Sequence, residues 1–581
     1  MIVLGINIRH GDSSACIIKN GKLLSAIEEE RIIKLKHCSH FPINSIKFCL
    51  TENNIKMSQV DYITLNSDPK YNFFTKVLFF LKNFHKNFNY FDLSFLTKKT
   101  FIKENIELYF GKDHKYKILP VSHHLSHANS TMYFLEKNNN DLIFSFDGSG
   151  DFSTIEVFLI KENNEIKLIE KNNFPHSLGF FYSAFTQFLG FKNYGDEYKL
   201  MGLSGYGKPK YLEKISKIIE SEYPFKLNLN YFNTPNINYI KHVPIIDKLY
   251  NENFVKIFGK PFKNVDENIS QYQKDLAASV QKYFEDLTIN YLIKIKNKFK
   301  SKKLYITGGC AFNSVLVGKI IEKKIFKKVN VGPNPGDAGG AIGSAFQVLL
   351  DNNYRISRKN LNISYLGPSY SNNYIRKNLL PFVMEKKNYD IKFYKNFDKI
   401  TLLASKFIKK KKLIFWFQDN MEWGPRALGN RSILADPSNR DIINIINKKI
   451  KKRELFRPFA PAVLKEHADD YFYMNKTSSP FMNVVYKSKK ITKKTCPAVV
   501  HVDNTSRVQT VAKQDNLKFY KLLKKFQKLT SYPILINTSL NVKGPIAMTP
   551  RDAFNYLAKT EAECLFINNW VITKNERKHK K

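Results

Sequence analysis

Residues 141–161 read DLIFSFDGSGDFSTIEVFLIK: an apolar run, a polar turn of Asp, Gly and Ser, and a second run rich in β-branched and aromatic residues. That pattern predicts two strands joined at a glycine-bearing turn. The chain opens in the same way. MIVLGINI predicts a strand, and SACIIKNGKLLSAI predicts a hairpin turning at Asn20-Gly21, because Asn-Gly accepts the left-handed backbone of a two-residue hairpin turn. Further on, residues 268–299 carry apolar positions at helical spacing. KKLYITGGCAFNSVLVGKII then reads as strand, Gly-Gly turn and helix, and KKVNVGPNPGDAGGAIGSAFQVLL as strand, Pro/Gly loop and helix. This mixture predicts an α/β (mixed α+β) fold. No internal repeat stands out from the residues.

The 581 residues exceed one compact core and predict two large domains. Turn formers crowd residues 351–373, which places the boundary there: 1–355, then 360–575 with strands at KLIFWFQ and YPILIN, and a basic tail 576–581. The most apolar run, KVLFFLKNF, is short of the roughly 20 residues of a membrane span. The expectation is a soluble, cytoplasmic protein with no membrane partner. Six cysteines are scattered without a C-x-x-C pair, which suits a reducing compartment and offers no thiolate metal cage.

The net charge of +42 raises nucleic acid as a partner. Of the 93 basic residues only 13 are arginine, however, and the lysines spread along the whole chain, as a solvated surface would have them. No stable nucleic-acid partner is expected. Scarcity makes the arginines informative, since they should persist where a planar, permanently charged fork is required. Only Arg9 and Arg31 precede residue 350, whereas Arg426, Arg431, Arg440, Arg453 and Arg457 lie close together. Together with the serine, threonine and glycine of NTSLNVKG, they predict an anion site. No G-x-x-x-x-G-K-[ST] is present, so the site is not a P-loop.

VSHHLSHANS holds three of the 13 histidines. On a helix His123 and His127 share a face and can reach one metal ion, although surface or satisfied core histidines have this spacing too. Asp147 and Asp337 sit at strand ends where loops converge; taken singly, each reads first as a turn or cap aspartate. A His-His-Asp-Asp set suits iron(II), manganese or zinc. His10, just after the first strand, is either a general base or a backbone hydrogen-bonding group. Glu28, Glu29 and Glu30 cannot all face one site, so most of them should be solvated.

HHLSHANS, SFDGSGD, HSLGFFYSAFTQFLGFKNYGDEYKLMGLSGYG, TGGCAFNS, NPGDAGGAIGSA, EWGPRALGNRSILADP, IKKRELFRPFAP and NTSLNVKG occur in the order found in the O-carbamoyltransferases of nodulation-factor and antibiotic tailoring. The chain resembles that family over nearly its whole length. The resemblance implies an N-terminal actin-like transferase domain and a C-terminal YrdC-like domain. It implies that carbamoyl phosphate and ATP, with Mg2+, give carbamoyl adenylate in the second domain. The carbamoyl group would then pass to the hydroxyl of a small-molecule or glycan acceptor in the first. It assigns His123, His127, Asp147 and Asp337 to a metal, iron(II) in the first instance, His10 to deprotonation of the acceptor, and Lys36 to the nucleotide phosphate. Gly308, Gly309 and Asn313 would line the nucleotide pocket. Arg426, Arg431, Lys451, Arg457, Arg507, Asn537 and Ser539 would bind ATP and carbamoyl phosphate. The family pattern NVKGEPI is NVKGPIA here, and Cys310 stands as a small, buried substitution in the Gly-Gly turn. The competing readings are a tRNA-modifying transferase of the related threonylcarbamoyl system and a non-catalytic nucleotide-binding protein. A homodimer is compatible with the sequence.

Overall fold

The computed structural model describes residues 1–82, 94–112, 114–132, 140–162, 165–263, 268–354, 356 and 363–575, with 94–98 described by backbone alone. The chain divides into two compact units, Met1–Leu361 and Asn362–Lys581. The basic tail, and residues 355 and 357–362 of the expected boundary, lie outside the described residues.

Met1–Leu361 is built on two five-stranded sheets of one topology. The first contains β1 (Ile2–Asn7), β2 (Ser14–Lys19), β3 (Lys22–Glu28), β4 (Tyr62–Leu65) and β5 (Lys117–Pro120) in the order β3-β2-β1-β4-β5. β1 to β3 form an antiparallel meander, and β4 and β5 run parallel to β1. The second contains β6 (Leu142–Gly150), β7 (Ser153–Ile160) and β8 (Ile166–Asn173). A separate hairpin of β9 (Ile237–Ile240) and β10 (Val243–Ile246) intervenes before the sheet is completed by β11 (Lys303–Thr307) and β12 (Lys328–Val331), in the order β12-β11-β6-β7-β8. β6 to β8 again form a meander, and β11 and β12 again run parallel to its first strand. The strand and glycine-bearing turn that occur twice in the sequence thus belong to two whole sheets of the same topology. At the β2–β3 turn, Asn20 and Gly21 have φ of 50° and 74°, as the Asn-Gly reading requires.

Glycine decides how closely the elements of this unit approach. A Cβ at Gly5 of β1 would lie 2.1 Å from the Ala341 carbonyl, so the helix Gly339–Asp351 can lie directly on the strand. A Cβ at Gly343 would lie 1.7 Å from the Ser126 carbonyl, which sets the same helix against His123–Asn129. The elements that carry the histidines are thus fixed by backbone contact.

Glu28, Glu29 and Glu30 correct the sequence expectation, for all three are buried. They serve different partners. Glu28 accepts from Asn334 Nδ2 at 3.1 Å and pairs with Arg31, and Glu30 pairs with Arg31 at 3.0 Å and accepts from the His37 amide. Glu29 accepts from the Ser45 amide and hydroxyl, both at 2.7 Å, and from the Asn44 amide and Nδ2, so it satisfies the start of the helix Ile43–Glu52.

Asn362–Lys581 is organised around an eight-stranded sheet. Its strands are β13 (Tyr389–Phe393), β14 (Ile414–Phe417), β15 (Arg431–Ala435), β16 (Ala460–Leu464), β19 (Gln509–Val511), β20 (Ile534–Ser539), β21 (Cys564–Ile567) and β22 (Trp570–Lys574). The order is β13-β22-β21-β14-β15-β20-β16-β19, and β17 (Val485–Lys487) pairs separately with β18 (Thr505–Arg507). The helices Phe397–Lys409 and Leu517–Thr530 pack Ile400, Ala404 and Ile408 with Phe519, Leu522, Leu523 and Phe526 over Trp416 and Leu535 of the sheet.

Replacing Glu29 by Ala leaves the Ser45 and Asn44 donors without their acceptor. The expected cost is about 2 to 4 kcal/mol of unfolding free energy, read from denaturant midpoints at unchanged slope.

Candidate metal centre and anion site

The helix His123–Asn129 follows Ser122, whose side chain makes no capping hydrogen bond. The Asp151 carboxylate takes that role, accepting from the His123 amide at 2.8 Å as well as from Ser67 Oγ and the Asp68 amide. One turn later His127 stands beside His123 with their Nε2 atoms 3.1 Å apart. Asp147, at the end of β6, and Asp337, in the loop before Gly339–Asp351, face the pair. His127 Nε2 lies 3.3 Å from Asp147 Oδ2 and 3.5 Å from Asp337 Oδ1, and His123 Nε2 lies 3.8 and 3.6 Å from the same atoms. All four ligand atoms lie within 4.8 Å of one another.

Donor separations of this size suit a single cation. Ligands about 2.1 Å from a metal stand about 3.0 to 3.4 Å apart in octahedral or tetrahedral arrangements. Two imidazole nitrogens and two carboxylate oxygens suit iron(II), manganese or zinc. Both imidazoles are almost fully enclosed, while the carboxylates are about 15% exposed, so the centre opens on its acidic side. Burial alone would lower the His127 pKa, but the hydrogen-bonding carboxylates of Asp147 and Asp337 outweigh it and raise the group to about 9. Burial likewise opposes the charge of Asp147, yet His123 and His127 hold that carboxyl well below the usual range. Asp147 also accepts from the amides of Gly148 and Gly309 at 2.6 and 2.7 Å, so the turn role and the ligand position coexist in one residue. A Cβ at Gly309 would come within 2.8 Å of Asp147 Oδ1, and one at Gly150 within 2.0 Å of His123 Cδ2. His124 turns away and shares a 2.8 Å hydrogen bond with Ser145 Oγ.

The His10 ring centroid lies 4.8 Å from that of His123, which places it at the edge of the centre. The hairpin β9–β10 is fastened beside it: Tyr239 donates to the Arg9 carbonyl at 2.9 Å, and the Ser39 amide donates to the His242 carbonyl. Lys36 is exposed; burial opposes the charge of Asp12, but His37 foremost, then Arg31 and Lys36, hold its carboxyl below the usual range. Asp12 Oδ1 meets His37 Nδ1 at 2.9 Å, a dyad that the sequence reading did not single out although Asp12 stands two residues after His10. The Tyr194 ring packs edge-on to His37. Burial pushes the Tyr194 hydroxyl upward, and the charges of Asp337, Asp12 and Asp147 add to the effect, so this neutral phenol lies within the field of both acidic groups.

Gly308 and Gly309, at the end of β11, pack against the end of β6. Gly308 has φ of 90°, and a Cβ there would meet the Phe146 carbonyl at 2.2 Å. Asn313 is otherwise engaged: its Oδ1 caps the helix Ser314–Glu322 and its Nδ2 donates to Gln281 at 3.0 Å. Cys310 is half-buried, not enclosed as expected.

In Asn362–Lys581 the arginine expectation divides. Arg431 is fully buried, stacks 3.6 Å from the Phe417 ring centroid and donates to the carbonyls of Gln418, Asn430, Pro368 and Asp419. Its burial lowers its pKa to about 10. Those donors are spent on the backbone, so Arg431 builds the loop instead of meeting an anion. Arg507 is different. Burial pushes its pKa well down, and the neighbouring Arg426, Arg453 and Arg457 lower it further. Guanidinium groups within one another's field favour an anion among them, and Arg457 already meets one carboxylate, Glu454, at 3.4 Å. Arg453 belongs to this group although the family pattern did not assign it; it donates to Asn447 at 2.7 Å and lies over Phe459. The π-helical turn Ile445–Lys451 delivers Lys451, which donates to the Ser539 carbonyl and hydroxyl and to Asn541. Asn537 donates to the Ala427 carbonyl and to Gln509.

The carbamoyltransferase N-terminus family matches residues 2–346, and the carbamoyltransferase C-terminus family matches residues 405–574. The chain belongs to the carbamoyltransferase family. It is 34% identical to an uncharacterized protein of Synechocystis sp., over 98% of this chain and 96% of that one. With nodulation protein NolNO of Sinorhizobium fredii it shares 30% identity over 97% of this chain and 79% of the relative. Nodulation protein NolO of Bradyrhizobium diazoefficiens is 32% identical over 78% and 79%. Among solved structures, component A of (R)-2-hydroxyglutaryl-CoA dehydratase from Acidaminococcus fermentans aligns with 60% of this chain and 97% of its own, at 14% identity and a TM-score of 0.32. As a carbamoyltransferase the chain is an enzyme of group transfer.

Two outcomes are expected. A metal must displace the proton that Asp147 and Asp337 stabilise on His127, so affinity for Mn2+ added to metal-free protein should rise with pH until about 9, as read by calorimetric titration. Gly150→Ala should displace the His123 ring and lower metal content at least about tenfold by elemental analysis.

Proposed function

We propose that this carbamoyltransferase is ATP-dependent, forming carbamoyl adenylate from carbamoyl phosphate and ATP in Asn362–Lys581 and carbamoylating an acceptor hydroxyl in Met1–Leu361. The observation that carries the proposal is the cluster of Arg426, Arg453, Arg457 and Arg507 in a member of this family. Both co-substrates are polyanions. Bringing them together requires charge neutralisation and in-line positioning, which preorganised guanidinium groups supply. Lys451, held beside Ser539 and Asn541, adds a further cation to the same unit.

In the other unit His123, His127, Asp147 and Asp337 would hold a divalent metal, iron(II) by the family resemblance. When bound it supplies Lewis acidity toward the phosphate of the adenylate. The protein's own groups carry the remaining work. His10 accepts the proton of the acceptor hydroxyl as its oxygen bonds to the carbamoyl carbon, the bond from that carbon to the phosphate oxygen breaks, and AMP leaves. Lys36 offers charge to the departing phosphate. Asp12 holds His37 at 2.9 Å, and although burial would depress the His37 pKa, the Asp12 carboxylate raises it. Gly308 and Gly309 line the nucleotide pocket by the family resemblance, and Phe146 and Asp147 leave neither position room for a side chain. The acceptor class is a sugar or secondary-metabolite hydroxyl, and the partly exposed Tyr239 ring at the rim suits stacking against a sugar face.

The test separates the two half-reactions. Wild type with Mg2+ and iron(II) should release pyrophosphate from ATP only when carbamoyl phosphate is present, and Arg457→Ala should lower that rate by about 100-fold or more. Absence of release from folded, metal-loaded wild type overturns the proposal. His10→Ala should retain a single turnover of pyrophosphate while losing about 100- to 10,000-fold in carbamoyl transfer.

A further inference from the structure

The helix Phe73–Lys82 contains no buried residue. Its inner side is nevertheless firmly mounted. Phe79 packs edge-on against Phe152 and Phe174 at 5.2 and 5.5 Å between ring centroids. Just before the helix, Asn72 donates to the Asp151 carbonyl and to Ser153 Oγ, both at 2.9 Å, and Tyr71 donates to Glu156 at 2.8 Å. Its outer side is apolar. Phe74, Leu78 and Leu81, spaced i, i+4 and i+7, are 82%, 58% and 64% exposed, with Phe73 beside them. Residues at this spacing form one stripe. An isolated exposed leucine is ordinary in a folded protein; a stripe of three with an adjoining phenylalanine on one rigidly held helix is not.

The charges around the stripe indicate what it meets. From Pro69 to Phe91 the sequence has no Asp or Glu, while Lys70, Lys76, Lys82 and Lys86 interrupt seven phenylalanines, in a chain of net charge +42. Lys70 and Lys82 are exposed at the two ends of the helix. A second copy of this chain would bring the same positive charges face to face. An anionic bilayer surface would accept both the apolar stripe and the lysines.

We infer that the helix Phe73–Lys82 is an interfacial anchor that lies flat on an anionic membrane surface, with Phe73, Phe74, Leu78 and Leu81 in the acyl boundary and Lys70 and Lys82 at the headgroups. The expectation of no membrane partner rested on a run too short to span; a helix lying in the interface needs no such length. Among the described residues no helix is long and apolar enough to cross a membrane. The anchor is joined to the candidate metal centre through Asp151, which binds Asn72 by its carbonyl and the His123 amide by its carboxylate.

The test uses the full chain and vesicles of phosphatidylcholine with or without about 30 mol% phosphatidylglycerol. Wild type should co-sediment with the anionic vesicles, and the triple variant Phe74→Ser, Leu78→Ser, Leu81→Ser should bind at least about tenfold more weakly. In a second variant, Phe74→Trp, a fluorescence blue shift on adding anionic vesicles reads insertion at the stripe directly. Equal binding by wild type and the triple variant, no binding to either vesicle, or a concentration-dependent dimer that the serine substitutions abolish would each overturn the inference. The last of these would assign the stripe to a second copy. None of these readouts depends on the transfer chemistry.

Discussion

Two imidazoles and two carboxylates gathered into one largely enclosed space form the constraint on which Met1–Leu361 is built. Each group would resist burial alone; together they offset one another and leave a donor set that a divalent cation completes. The four residues come from a helix, the end of β6 and the loop before Gly339–Asp351. Holding them within a few ångströms demands backbone contact between elements far apart in sequence. That is why Gly5, Gly150, Gly309 and Gly343 stand where any side chain would collide. Asp151 belongs to the same device, since it caps the histidine helix in place of Ser122.

The opposite problem governs Asn362–Lys581. There the half-buried Arg507 lies in the field of Arg426, Arg453 and Arg457, whose charges oppose its own. Arg431 marks the limit of reading arginines by scarcity. A guanidinium resists replacement by lysine both where it binds a ligand and where a planar fork ties several carbonyls together, and Arg431 does the second. The two units thus differ in character: one gathers guanidinium groups, the other metal-ligand donors.

Much of the fold was legible because its signals are local. The Asn20-Gly21 turn, the helix Gln271–Phe299 beginning at a Ser270 capping box, and the strands at Ile414–Phe417 and Ile534–Ser539 follow from period and turn chemistry. The burial of Glu28, Glu29 and Glu30 was not legible. Carboxylates on a helix read as solvated until one knows that Arg31, Asn334 and the start of the helix Ile43–Glu52 lie waiting for them. The repeated strand and turn were legible, but not that whole sheets repeat, for a related reason: hydrogen bonding between strands is made by the backbone, so topology can repeat while side chains diverge.

The sequence by itself determined the residue types and their spacing: the two histidines one helical turn apart, the arginines kept in a lysine-rich chain, and the motif order that marks a carbamoyltransferase. Only the tertiary structure decided that Asp147 and Asp337 meet those histidines, that Arg453 joins Arg507 while Arg431 serves the backbone, that Asp12 holds His37, and that the stripe on Phe73–Lys82 is left facing outward. Spacing along a chain specifies neighbours within an element. Distances between elements depend on which surfaces pack, and that is settled by burial and close backbone approach over the whole unit.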